Sequence, residues 1–105
     1  MSANSFLITC IIERGRADEV MKVARQAGAR GGTIMPARGT STSEDKKFLG
    51  IPVMPAEKEV LLIVTDHDQV EVILDAIYKM PIFSKPGSSV VYSTPLHSFH
   101  TSSGN

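Results

Sequence analysis

The chain holds a single cysteine, Cys10, in 105 residues. No disulfide framework can brace it, and nothing points to an oxidising compartment. Charge of one sign is also missing, because 11 Lys and Arg are matched by 11 Asp and Glu. A nucleic acid or an anionic membrane as main partner would call for basic excess, so both are set aside. Long hydrophobic runs are absent as well. The longest, Phe6 to Ile12 and Val60 to Val64, fall far short of the ~20 residues that cross a bilayer. The opening MSANSF has no basic region followed by an apolar run of signal-peptide length. A soluble, cytoplasmic protein is expected.

Catalytic signatures are lacking too. The sequence contains no G-x-S-x-G, C-x-x-C, H-E-x-x-H or P-loop pattern, and its acidic residues are scattered without a pair spaced for acid–base work. Of three histidines, His97 and His100 sit in the tail and His67 lies far from them in sequence. Metal sites need several ligands in fixed geometry. Neither an enzyme nor a metal protein is indicated.

What is present fits one domain with one core, given the length and 42% hydrophobic content. Phe6 to Ile12 is apolar and rich in β-branched residues, as in a buried central strand. Its Cys10 is then a small buried side chain without reactivity. From Ala17, the spacing of Val20, Val23, Ala24 and Ala27 predicts a helix that Gly28 stops. Gly31-Gly32 marks a turn into a strand from Thr33 to Arg38, near a sheet edge because Pro36 cannot donate to a ladder. Glu59 to Thr65 predicts a third strand. Asp66 is the expected N-cap of a second helix, with Gln69 completing a capping-box-like pair. Val70, Ile73, Leu74 and Ile77 give that helix its apolar face, and Pro81 ends it. Lys85 to Ser89 is a turn, and Val90 to Ser93 a fourth strand. The core is placed at residues 6–94 and a flexible tail at 95–105.

The order is β-α-β-loop-β-α-β. It predicts an α+β ferredoxin-like sandwich, a four-stranded antiparallel sheet with both helices on one face. The other face carries many apolar residues, which in such a sheet implies burial in an oligomer. Between the halves runs an arm, residues 40–57, polar from Thr40 to Lys47 and apolar from Phe48 to Pro55. Loops of that length in compact domains are usually functional or disordered, and the apolar half suits docking against a partner.

Four features in this order resemble the PII-type signal-transduction family: Ile11-Ile12 leading by a loop to a helix at Val20; Gly28 to Thr33 entering the second strand; Gly39 at the base of a long arm; and Glu59 to Ile77, strand then helix. The resemblance spans roughly residues 6 to 94. It implies a homotrimer whose intersubunit clefts take an adenine nucleotide, with an arm (the T-loop) that regulates a membrane transporter or metabolic enzyme. Carried over by position, Ile11, Thr33 and Val64 would border the base. Gly39 and Thr40 would sit at the arm's root near the phosphates, and Gly87, Ser88 and Ser89 on the neighbour's short loop.

The sequence also departs from that family. Thr40 to Ser43 replaces the family's magnesium- and 2-oxoglutarate-binding glutamine, and the arm has no tyrosine to modify. Basic residues after Gly87 and on the last strand are missing, where charge-assisted bonds would hold phosphates. ADP or AMP is therefore expected ahead of ATP, with Arg38, Lys58 and Lys85 as substitute cations. Such erosion resembles members tied to inorganic carbon and implies bicarbonate as a second effector. Two further resemblances share the fold: the trimeric, metal-binding CutA family, and ACT-like domains that take a small molecule at a dimer interface.

Overall fold

Strand β1 runs from Ser5 to Glu13 and holds the centre of the sheet. The computed structural model describes residues 4–40, 47–48, 51–52, 57–85 and 89–102, with backbone alone at 47–48 and 51–52. Alternation decides which side of β1 faces inward. Ile8, Cys10 and Ile12 are fully buried on one side, while Leu7, Thr9 and Ile11 point to the other.

Helix α1 (Ala17–Gln26) and strand β2 (Thr33–Arg38) follow. Two short strands, β3 (Lys47–Phe48) and β4 (Ile51–Pro52), pair with each other within the arm. Then come β5 (Glu57–Asp66), α2 (Val70–Tyr78), a 3-10 turn at Pro81–Phe83 and β6 (Val90–Pro95). The main sheet has the order β2-β5-β1-β6 with every pairing antiparallel. This is the predicted βαββαβ sandwich. Pro36 is indeed on an edge strand, since β2 stands at the end of the order β2-β5-β1-β6.

One face of the sheet packs under the helices. Leu61 and Ile63 of β5 join the buried side of β1, and above them lie Val20, Met21 and Ala24 of α1 and Val70, Ile73 and Ile77 of α2. Burying each large aliphatic side chain contributes about 1.5–3 kcal/mol, so this layer dominates stability. Gly28 takes φ +118° and ends α1 as expected.

The start of α2 differs from expectation. Asp66 Oδ1 accepts the N–H groups of Asp68 at 3.0 Å and Gln69 at 3.1 Å. It thus closes the turn before the helix, whose first residue is Val70. Gln69 makes no capping bond; its Oε1 instead packs against Gly28, where an added Cβ would stand 2.4 Å away. Packing between the helix ends has overridden the local capping pattern. β6 also runs further than predicted, since Pro95 still pairs with Phe6.

Among the described residues, no helix packs on the second face of the sheet. Leu7, Ile11, Val60, Leu62 and Val64 are half-buried there, while Met35, Val90 and Tyr92 are exposed. Met35 is 39% exposed because its strand is at the edge.

Candidate functional site

The described residues singled out from the sequence divide between the two ends of the sheet; Ile11, Thr33, Lys58 and Val64 lie on this second face, whereas Arg38, opposite Glu57, lies on the helix side. At one end, β2 runs out beside the start of β5, with Ala37 opposite Lys58 and Arg38 opposite Glu57. The Lys58 side chain lies over Gly39, whose added Cβ would stand 3.3 Å from both Cγ and Cε. Glu13 at the end of β1 is Lys58's other neighbour, and Arg14 forms an ion pair with Glu57. Exposed Thr40 follows Gly39. Lys85 is at the same end, lining with Glu13 and Arg16 a cleft of about 260 Å³. Gly87 and Ser88 lie outside the described residues. Ser89 precedes Val90, the partner of Ile11 on β6.

Thr33 and Val64 occupy the other end. Thr33 pairs with Leu62, and Val64 stands one row further along the same face, opposite Leu7. Lys58 and Val64 stand six residue steps apart along the strand, about 20 Å at the usual rise. Ile11 lies between them, beside Val60. The fold therefore makes a strip along one face, apolar in the middle, with Lys58 beside Glu13 at the arm's root.

Glu59, which the sequence marks only as a strand start, organises the arm-root end. Its Oε1 accepts the N–H groups of Gly15 at 3.1 Å and Ala17 at 2.9 Å. A carboxylate at a helix N-terminus is favoured both as an acceptor and by the helix dipole. The sequence signal was a charged residue at a position that alternation turns toward the helices. Cys10 is fully buried, and burial pushes its thiol up to about 12. A thiol held protonated is a poor nucleophile. Among the described residues, no group of three His, Cys, Asp or Glu could hold a metal ion.

A larger cavity, about 580 Å³, opens at the Val64 end. It lies between the last turn of α1 and the turn into α2, with Arg30, Asp66 and Gln69 in its wall. The chain after β6 folds back there. Leu96 N–H donates to the Ser5 carbonyl at 2.9 Å, and Phe99 lines the cavity.

A family model for nitrogen regulatory protein P-II matches residues 5–97. The chain belongs to that family. The P-II fold is also found by structure: the crystal structure of Arabidopsis thaliana PII bound to citrate superposes with a TM-score of 0.67. That match has 22% identity over 89% of this chain and 78% of the plant protein. No curated protein matches the sequence. P-II membership decides among the three resemblances, so CutA and ACT-like assignments are set aside. The protein is a P-II-type regulatory signalling protein, and no helix among its described residues is long and apolar enough to cross a membrane.

Proposed function

We propose that this P-II-type regulator works as a homotrimer that binds an adenine nucleotide between subunits and passes its occupancy to a partner through the 40–57 arm. The observation that carries this reading is the arm's root. There Gly39 lets the backbone come close to a ligand while Lys58, lying over it, supplies a cation at the same spot. Close backbone approach with adjacent N–H groups suits a phosphate. The base would lie toward Ile11, Thr33 and Val64, on the apolar part of the strip.

With few cations at this end, each phosphate gains little, so ADP or AMP is preferred over ATP. The apolar face, which no described helix covers, supports subunit association, because exposed patches of this kind mark interfaces. The partner is a transporter or a metabolic enzyme rather than a nucleic acid, in keeping with zero net charge.

Titration calorimetry with ATP, ADP and AMP, alongside sedimentation, tests the reading. The expected result is a trimer that binds ADP or AMP more tightly than ATP. Absence of binding by all three at millimolar concentration would remove the nucleotide, and a monomer would remove the cleft. Repeating the titration with bicarbonate tests the link to inorganic carbon.

A further inference from the structure

The cavity at the Val64 end differs chemically from the arm root, and its charges limit what can enter. Among the described residues lining it, Arg30 and Asp66 are the two that carry charge. They do not pair with each other, and Arg30 makes no ion pair with any described residue. Asp66 commits Oδ1 to the N–H groups of Asp68 and Gln69, which leaves Oδ2 without a partner among the described residues. One open cation and one open carboxylate oxygen thus share one hollow. Val64 and Phe99 add an apolar wall, and Gln69, pressed against Gly28, adds an amide.

A polyanion is a poor fit, because a single arginine faces it while Asp66 repels it. A neutral hydrocarbon would leave both charged groups without partners, at a desolvation cost. A zwitterion with an apolar side chain meets all three demands: carboxylate on Arg30, ammonium on Asp66, and side chain against Val64 and Phe99. Charge-assisted hydrogen bonds at both ends would fix its orientation. The volume lies within the range of about 300–1,000 Å³ usual for small-molecule pockets.

We propose that this cavity is a binding site for an apolar α-amino acid, closed on one side by the chain's own C-terminal segment through Phe99. The site is separate from the arm root and does not rest on the nucleotide reading. Val64 is the one residue common to both.

The test uses the full-length, isotope-labelled protein and L-phenylalanine as the probe, followed by amide NMR shifts. Saturable shifts are expected at Arg30, Asp66, Gln69 and Phe99. Phenethylamine, which lacks the carboxylate, and 3-phenylpropionate, which lacks the ammonium, should each bind about tenfold more weakly or worse. Arg30→Gln and Phe99→Ala should weaken L-phenylalanine similarly. Both positions are outside the buried core, so the variants should keep the parent spectrum elsewhere. A parallel ADP titration, read at Gly39 and Lys58, should be unaffected by Arg30→Gln, which separates the two sites. No shift with L-phenylalanine at millimolar concentration would overturn the proposal. So would equal binding of either singly charged analogue.

Discussion

The aliphatic stem of Lys58 crosses directly over Gly39, close enough that a methyl group on Gly39 would meet it at 3.3 Å. The contact joins the last residue before the arm to the second residue of the strand that follows it. The two ends of the arm are thus held together by a glycine and a flexible cation. Gly39 is also not among the positive-φ glycines, so a side chain there meets crowding without backbone strain.

Gly39→Asp is therefore expected to leave the fold intact and to disable the arm root. The new carboxylate would sit beside Lys58 and neutralise it, and would repel any phosphate. Affinity for ADP should fall at least about tenfold, the effect of losing one charge-assisted contact of about 1.5–3 kcal/mol. The melting temperature should shift by no more than a few degrees. Calorimetry and a thermal scan on the same sample check both halves, and unchanged ADP affinity would place the phosphates elsewhere.

Gly31 and Gly32 form a matched pair with opposite expected outcomes. A Cβ on Gly31 meets nothing within 4 Å, whereas one on Gly32 would stand 2.9 Å from the Leu62 carbonyl oxygen and 3.0 Å from Leu61 Cδ1 and Met21 Sδ. Gly31→Ala should be neutral or stabilise by about 0.4–1 kcal/mol through the unfolded chain. Gly32→Ala should destabilise by about 1–3 kcal/mol, because backbone must shift against a packed strand. Urea denaturation of the two variants, compared at constant m-value, decides the matter. Equal midpoints would mean that the edge strand relaxes freely.

This pair also shows how far the sequence could be read. Periodicity located the four main strands and both helices, since side-chain alternation and helical spacing are local signals. The same local reading treated both glycines as one turn. Their difference comes from β5 and α1 passing over Gly32, which is a contact distant in sequence. The Gln69–Gly28 contact and the Glu59 cap were missed for the same reason: each joins residues about 40 apart. At the candidate site, Arg38, Gly39 and Lys58 were legible because they flank the arm. The cavity around Arg30 and Phe99 was not, because it exists only once the tail folds back onto β1.

Glu59 offers a test of a cap supplied from another element. Glu59→Ala should destabilise by about 1–2 kcal/mol, the usual cost of losing an N-terminal cap. Glu59→Gln keeps an acceptor for the Gly15 and Ala17 N–H groups while removing the charge. It should cost about 0.3–1 kcal/mol, the share of the helix dipole. Denaturation midpoints ranked wild type, then Gln, then Ala would support this division. Identical midpoints for Gln and Ala would assign the whole effect to charge.

Cys10 sets an alkaline limit on stability. Burial disfavours the thiolate and pushes the thiol up from 9.0 to about 12 in the fold. Between those values the unfolded chain gives up a proton that the folded chain keeps, so raising the pH favours unfolding. The stabilisation is fully present below pH 9 and falls as pH rises toward 12, at up to about 1.4 kcal/mol per pH unit. Cys10→Ala removes this titration at the cost of a small cavity. Its stability should therefore start lower than wild type at pH 7, and the gap should narrow above pH 9. Parallel denaturation series at pH 7, 9 and 10 measure that gap; a constant difference would show that the thiol ionises as freely in the fold as outside it.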